Sequence, residues 1–427
     1  MRGEARTILI LTLLAAGCGA RDNGVHGDGS WVGTVATEGS VTTVVNESGS
    51  VWSGAATLVE EASIGVETGP DEYMFGNVVG VAANDKAIFV LDPQVPTVRV
   101  HDYDGHYLRD IGREGDGPGE FRNPRSVAVA ADGRLFVKEQ ARIGVFSPEG
   151  EPLGTWPVNT GFSSGTPMVM TVDGVLYFHD LTERGNDITE WQHGMRAVGP
   201  DGVYGEPVRV PHLEYPPYQL ITRFPGGGMT SFTIPFSAGP VWAMAPSGAM
   251  IAGVPSDYRF EVHFPDGSVT VVEKTWEPVP VERDEAKWNR ARITANQRRN
   301  NPDWSWDGPP IPDKKPAYSQ LAPDHSGRIW VKRIVRTEDV PECDPNPLRP
   351  AGERPRSCWR QVYGVEVFDA ESGRYLGQVE EPPATSGLSR IDRAFIKDDT
   401  VIIRVDDEAG TIMVKRYRLI LPGSTHQ

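Results

Sequence analysis

The sequence predicts an all-β protein, specifically a six-bladed β-propeller with a helical insertion between blades four and five. The first observation is a meander pattern between Arg113 and Gly154, where three short runs rich in β-branched or aromatic residues are separated by turn residues. A short connection containing Asp132-Gly133 separates the first two runs. It predicts a hairpin, because glycine readily adopts positive φ. A lone meander cannot bury both of its faces, so further copies are expected beside it.

The second observation is that the chain supplies those copies, six in all. Each reads as inner strand, tight turn, buried strand, alternating strand, second turn and outer strand. The first turns of the six copies are Asn84-Asp85, Asp132-Gly133, Asp173-Gly174, Ser247-Gly248, Ser326-Gly327 and Asp398-Asp399. Six four-stranded sheets arranged radially bury their faces against one another. The isolated run Thr57 to Ile64 is predicted to pair with the sixth copy and close the ring.

The second copy carries a family resemblance. Gly117, Gly119, Phe121 and Pro124, followed by the runs 127–129, 132–133 and 135–137, resemble the NHL repeat. From about Thr57 onward the chain resembles the six-bladed β-propeller lipoproteins of bacteria. This resemblance implies a fold and no particular reaction, because the same fold hosts lyases, lactonases and plain binding scaffolds.

The N-terminal region predicts export. Residues 1–17 have a basic start and a short apolar core that ends in small residues, as in a signal peptide. The sequence Ala15-Ala16-Gly17-Cys18 resembles a bacterial lipobox, which implies cleavage before Cys18, lipidation of its thiol and attachment to the bacterial membrane. Simple secretion is the alternative. The expected location is the cell envelope, outside the cytoplasm, on the periplasmic face or the cell surface.

The predicted domain organisation follows from composition. Residues 18–54 are rich in Gly, Ser, Thr and Asp and predict a flexible tether. Residues 55–427 form the propeller, interrupted by a helical, Trp-rich insertion at 276–315 and by a loop at 340–360. In an oxidising compartment, the pair Cys343 and Cys358 in that loop predicts a disulfide. It would stabilise the fold by about 3 kcal/mol in the chain-entropy model.

Three tryptophans of the insertion have two interpretations. Acidic residues lie at the start and basic residues at the end of the helical pattern of Val281 to Arg299, as the helix dipole favours. Trp288, Trp304 and Trp306 either attach the insertion to the side of the propeller or stack against a carbohydrate or peptide.

The overall charge excludes one class of partner. The chain has 58 acidic and 42 basic residues, a formal net charge of −16, so a nucleic-acid backbone is not the expected ligand. The glycine-rich stretch 112–119 lacks the Lys-Ser/Thr and the following helix of a phosphate loop and is interpreted as a connector between blades.

Candidate binding residues lie where inner strands begin, because in a propeller these positions surround the mouth of the central channel. They are Asn77, Asn123, Arg125, Trp242, Tyr318, Asp392 and Arg393. Arg125 and Arg393 could bind a carboxylate or phosphate through two hydrogen bonds each. The alternative is that these residues cap strands or pair at blade junctions.

These observations predict a non-enzymatic scaffold that binds a protein, peptide or carbohydrate ligand. The alternative is a metal-dependent hydrolase or lyase of the NHL or lactonase type, with calcium or zinc at the channel mouth. No inner strand carries a histidine for zinc, and Asn77, Asn123 and Asp392 match a calcium set only in part. The sequence therefore predicts no cofactor, with channel calcium as the alternative, and no catalytic constellation can be assigned.

Overall fold

The computed structural model describes residues 31–423 except 159–165, 186–189, 200–202, 224–228, 300, 345–355, 383–386 and 408. Six β-sheets make up a six-bladed propeller, as the repeat pattern predicts. The proposed signal peptide, Cys18 and the turn Asp201-Gly202 lie outside the described residues.

The first three blades are four-stranded antiparallel meanders. Blade 1 consists of β4 (Gly80–Ala83), β5 (Ile88–Asp92), β6 (Thr97–His101) and β7 (Tyr107–Ile111). Blade 2 consists of β10 (Ser126–Val129), β11 (Leu135–Lys138), β12 (Arg142–Phe146) and β13 (Pro152–Pro157). Blade 3 consists of β14 (Val169–Met170), β15 (Leu176–Glu183), β16 (Gln192–Val198) and β17 (Tyr204–Arg209). Between blades 1 and 2, β8 (Arg113–Glu114) pairs with β9 (Glu120–Phe121).

The last three blades carry the additional elements. Blade 4 contains β20 (Val241–Met244), β21 (Met250–Gly253), β22 (Arg259–His263) and β23 (Val269–Lys274). Blade 5 contains β24 (Gln320–Pro323), β25 (Arg328–Asp339), β26 (Trp359–Asp369) and β27 (Tyr375–Val379). Blade 6 contains β28 (Phe395–Lys397), β29 (Thr400–Asp406) and β30 (Ile412–Ile420). Outside the blades lie the hairpin β18 (Gln219–Arg223) and β19 (Met229–Thr233), the helix α1 (Arg283–Arg298) and two 3₁₀ segments, Asp71–Tyr73 and Gly387–Arg393.

The core is divided among the six interfaces between neighbouring blades. Each interface holds a cluster of buried apolar side chains, such as Phe89 with Leu135 between blades 1 and 2. The interface between blades 3 and 4 is the smallest, with Met195, Met244 and Met250 as its buried members. Because each blade buries both faces only between its neighbours, the ring must be closed for every blade to be fully packed.

The ring is closed as the sequence predicts. Strand β3 (Thr57–Ile64) pairs antiparallel with β30 and supplies the fourth strand of blade 6. Ile64 is buried in the cluster between blades 6 and 1, together with Val90 and Val414. The two ends of the chain are therefore joined in one sheet.

The prediction of a flexible tether over residues 18–54 is wrong for residues 31–54. Strands β1 (Val32–Glu38) and β2 (Val41–Ser48) form a hairpin, and β2 pairs in parallel with β23 of blade 4. The backbone amides of Val51 and Trp52 then donate to the carbonyls of Tyr375 and Leu376 in blade 5. Residues 31–64, which we call the N-terminal belt, thus run along the outer edges of blades 4, 5 and 6 in turn.

The buried side-chain amide of Asn46 joins the N-terminal belt to blades 4 and 5 through hydrogen bonds. The Asn46 side chain is 2% exposed and accepts from the indole of Trp31 at 2.8 Å and from the amide of Tyr375 at 2.7 Å. Its Nδ2 donates to the carbonyls of Glu273 at 3.0 Å and Gly373 at 3.1 Å. Both ends of the amide are satisfied by groups from the belt, blade 4 and blade 5, as a buried polar group requires.

The two ends of the propeller differ in their connections. At one end the described turns are tight and carry glycine at positive φ, such as Gly133 at 88°. At the other end lie the segments between β17 and β20, between β23 and β24, and between β25 and β26. Every long insertion of the described chain therefore rises from the end at which the inner strands begin.

The insertions pack on one another. The helix predicted for this region is present as α1, where Trp288 and Trp304 are buried and donate to the Asp344 carbonyl and the Thr222 hydroxyl. The predicted disulfide joins Cys343 to Cys358, with 4.7 Å between their Cα atoms. The burial of Trp288 and Trp304 supports the interpretation that they attach the insertion to the rest of the protein. It does not support the interpretation that they are exposed surfaces on which a ligand stacks.

Candidate functional site

A central cavity of about 530 Å³ runs along the inner strands of the propeller. All six inner strands contribute to its wall, and most wall residues are apolar, including valines, alanines and methionines. At the end where the inner strands begin, the cavity is lined by Arg125, Thr166, Trp242, Asp392 and Arg393. We call these five residues the channel mouth. The size and the mostly apolar wall are typical of small-molecule sites in proteins.

Four of the seven residues predicted from sequence belong to the channel mouth, namely Arg125, Trp242, Asp392 and Arg393. Arg125 belongs to blade 2, and Arg393 precedes the inner strand of blade 6, where its guanidinium donates to the Val79 carbonyl at 3.0 Å. The structure therefore brings the two arginines to the same cavity. Whether these residues bind a ligand stays a prediction.

Asn77 and Asn123 lie in exposed connectors outside the cavity wall. Their backbone amides donate to carboxylates that directly follow or end the second strands, at 3.1 Å to Asp92 and at 3.1 Å to Glu139. Each carboxylate also accepts from the preceding backbone amide, at 2.7 Å from Gly76 and at 2.7 Å from Arg122. In both blades this arrangement holds the chain as it enters the inner strand, which is a structural task.

The placement of Tyr318 at the channel was wrong. Its side chain is fully buried in the core between blades 4 and 5, and its hydroxyl donates to the Arg259 carbonyl at 2.7 Å. Gly253 makes room for this ring, because a Cβ there would lie 2.1 Å from the tyrosine hydroxyl. Tyr318 precedes its inner strand, but its side chain points between the blades and away from the channel.

Basic side chains that sequence reasoning missed lie in the second strands, opposite the start of the inner strands. When the buried runs 88–91, 135–138, 176–179, 250–253, 329–332 and 401–404 are aligned, the last residue of the run is basic in four blades. The residues in this column are Leu91, Lys138, His179, Gly253, Lys332 and Arg404. The signal was visible in the repeats, where Leu-Phe-Val-Lys at 135–138 matches Ile-Trp-Val-Lys at 329–332.

The four basic residues have different surroundings. Arg404 pairs with Asp406 through two hydrogen bonds, at 2.8 and 3.1 Å. Lys332 lies 3.9 Å from the ring centroid of Tyr363, and burial lowers its pKa. Lys138 is 3% exposed, and burial, followed by the nearby Arg125 guanidinium, lowers its pKa.

His179 forms a pair with His193 beside Trp242. The Nε2 of His179 lies 3.0 Å from the Nδ1 of His193, and its own Nδ1 lies 3.1 Å from the Thr166 hydroxyl. Burial, then His193 and Lys138, lower the pKa of His179 to about 3, and burial lowers that of His193. Both rings are therefore neutral at pH 7, and His179 is a poor general base there, because an effective base has a pKa near the working pH.

Among the described residues, one group of side chains has atoms close enough together to hold a metal ion, and it lies outside the channel. Asp102, Asp104 and His106 lie together in an exposed turn of blade 1. Their arrangement follows from local hydrogen bonds, since the Asp102 carboxylate accepts from the backbone amides of Asp104 and His106. This turn is at the outer edge of the propeller and contributes nothing to the channel.

Comparison with known proteins supports the fold. Residues 38–193 match a family model described as a six-bladed β-propeller. A member of the duf4221 family from Bacteroides vulgatus has a TM-score of 0.52 at 10% identity, covering 86% of this chain and 99% of its own. No curated protein matches this sequence.

Two further solved structures are similar at lower TM-scores. Virginiamycin B lyase from Staphylococcus aureus has a TM-score of 0.38 at 11% identity, covering 80% of this chain and 94% of its own. The Pan2 WD40 domain of Neurospora crassa has a TM-score of 0.37 at 9% identity, covering 86% and 97%. Among the described residues, no helix is long and apolar enough to span a membrane.

Proposed function

We propose that this protein is an extracytoplasmic, lipid-anchored binding scaffold that holds its ligand at the channel mouth without transforming it. The observation that carries the proposal is the position of the central cavity beneath the insertions, at the end where charged side chains converge. In rigid scaffolds, binding groups commonly lie on elaborated loops at one end. The histidine pair at the mouth is a weak base at neutral pH, which favours binding over proton-transfer chemistry.

Filling the cavity tests this proposal. Ala243, which lines the cavity wall, is replaced by phenylalanine, and exposed Leu153 on the outer strand of blade 2 is replaced by phenylalanine as the matched control. Small molecules that co-purify with the protein from its native envelope are extracted and quantified by mass spectrometry. We expect a stoichiometric species in the wild type and L153F, reduced about tenfold in A243F by steric exclusion. Equal amounts in both variants would place the ligand elsewhere.

The metal-dependent hydrolase or lyase is the alternative function. Elemental analysis of the same purified protein separates it from the scaffold. Stoichiometric calcium or zinc that survives dialysis favours the enzyme, and a metal-free protein that retains its small molecule favours the scaffold.

The lipid anchor has its own test at Cys18. Cys18→Ala removes the only thiol in the lipobox-like sequence, so the variant is expected to be unprocessed or to leave the detergent-extracted membrane fraction for the soluble fraction. Fractionation with immunoblotting measures this change. A wild-type protein found entirely in the soluble fraction would contradict the anchor and leave simple secretion.

A further inference from the structure

The strongest unexplained feature next to the channel mouth is the buried ammonium of Lys138, the neighbour of Arg125 across the first two strands of blade 2. Its one hydrogen-bond acceptor among the described residues is the carbonyl of Glu139, at 3.3 Å. Burying an ionised amine without a carboxylate partner is costly. A lysine that only supported the fold would be expected to have such a partner.

Lys315, another deeply buried lysine, shows how a lysine with a structural role is paired with an anion in this protein. Lys315 is 1% exposed, and its ammonium lies 3.0 Å from the Glu285 carboxylate and 2.6 Å from the Gln361 amide oxygen. Lys138 is comparably buried, but the charged group that acts on it is the Arg125 guanidinium, and the nearby His179 ring is neutral. The two lysines therefore have opposite electrostatic surroundings in one chain.

Arg125 is the second unpaired cation at the same place. Its backbone amide donates to the Lys138 carbonyl at 2.8 Å, so the two residues are neighbours across the first two strands of blade 2. Its side chain is exposed at the cavity and has no hydrogen-bond or ion-pair partner among the described residues. These two adjacent cations have no anionic partner among the described residues. A negatively charged group of a ligand bound here would pair with them.

On the blade 6 side of the mouth, the positive charges are mostly balanced. Arg404 is paired with Asp406, and Arg393 lies 4.0 Å from Asp392 while donating to a backbone carbonyl. Below the mouth the wall is apolar, with Val81, Ala128 and Met170 among its residues. The uncompensated positive charge is thus local to blade 2, and the chain as a whole carries −16.

We propose that the ligand of the channel mouth is an amphiphilic organic anion, whose single carboxylate or phosphate head lies against Arg125, with the Lys138 ammonium behind the cavity wall, and whose apolar body enters the cavity. This inference rests on the proposed binding function and names the ligand class. Arg125 binds the head through its fork of N–H donors, and Lys138 adds a point charge from behind the wall. The cavity of about 530 Å³ is of the size that takes a small-molecule body.

Isothermal titration with three chain-matched probes tests the inference. Decanoate and decyl phosphate carry the anion, and decanol is the neutral control, all used below the concentration at which they form micelles. We expect at least one anionic probe to bind about tenfold or more tightly than decanol, because a charge-assisted hydrogen bond to a buried site contributes that much. The two anionic probes distinguish a carboxylate from a phosphate head. Equal binding of all three, or binding of none, would overturn the inference.

Two variants that replace a cation by an uncharged side chain test which residues bind the head group. Arg125→Gln and Lys138→Met should each weaken the preferred anion about tenfold and leave decanol binding unchanged. Lys138→Met should also raise the melting temperature, because it removes a buried charge that lacks a partner. Lys315→Met is the matched control and should lower the melting temperature, because it leaves the Glu285 carboxylate unpaired. A melting temperature lowered by Lys138→Met would show a structural lysine and contradict the inference.

The proposed binding site and the proposed anionic head group are contradicted by different results. If Ala243→Phe removes a co-purifying molecule that proves neutral or cationic, the binding scaffold stands and the anion inference fails. If that variant removes nothing, the proposed site itself is wrong.

Discussion

Deleting residues 1–66 is expected to prevent stable folding of the propeller, whereas deleting residues 1–30 should leave stability unchanged. The longer deletion removes β3, whose pairing with β30 completes blade 6. Each lost backbone hydrogen bond contributes roughly 0.5–1.5 kcal/mol, and loss of the buried Ile64 side chain costs about 1.5–3 kcal/mol. The total is on the order of 5 kcal/mol or more, comparable to the whole stability of a typical domain.

The comparison is made by thermal and denaturant unfolding of the truncated proteins. A third truncation, lacking residues 1–54, removes the β1–β2 hairpin and keeps β3, so its melting temperature should lie between the other two. Ile64→Ala in the full chain is a milder variant that should cost about 2–5 kcal/mol. Equal melting temperatures for the 1–30 and 1–66 deletions would contradict closure of the ring by β3.

The fold was predictable because its signals are local and repeated. Apolar runs of about four residues and tight turns recur six times, and each repeat needs its neighbours to bury its faces. Even the closing strand could be predicted, since the run Thr57 to Ile64 had no local partner. The sequence pattern was sufficient where a short apolar run marks a strand that is buried on both faces, as in β5 and β11.

The belt was missed because its hairpin lies at an outer edge of the propeller. Strand β1 is exposed or half-buried throughout, so its sequence shows no apolar alternation, and its Gly, Ser and Thr content resembles that of a linker. The signal that was overlooked is Glu38-Gly39-Ser40 between two runs of valine and threonine, with Gly39 at a φ of 61°. β-Branched residues on both sides of such a turn favour a hairpin even when the composition is polar.

The candidate site was predictable only in part, because position along a strand does not fix the direction of a side chain. Arg125 and Arg393 were predicted at the mouth and line it, but Tyr318, which precedes its inner strand, points into the core. Lys138 was missed because an apolar run that ends in lysine resembles an ordinary strand end. Its burial depends on blade 3, which lies beyond the repeat that contains it.

Replacing Glu285 by alanine should destabilise the insertions strongly, by about 3–5 kcal/mol, because it leaves the buried Lys315 ammonium without an anion. Both side chains are at most 1% exposed, and Gln361 donates to the Glu285 carboxylate at 2.7 Å while also accepting from Lys315. Lys315 further donates to the Thr337 hydroxyl and lies 4.8 Å from the ring centroid of Phe236. The pair therefore ties α1 to the extended hairpin of blade 5 and to the segment that follows β19.

Double replacement tests whether the loss comes from the unpaired charge. Glu285→Met combined with Lys315→Met removes both charges and keeps apolar volume, so its unfolding free energy should return to within about 1 kcal/mol of the wild type or exceed it. Denaturant unfolding gives the free energies, and limited proteolysis locates cleavage in the insertions of the single variant. If the double variant is as unstable as Glu285→Ala, the hydrogen bonds to Gln361 and Thr337 hold the insertion and the ion pair does not.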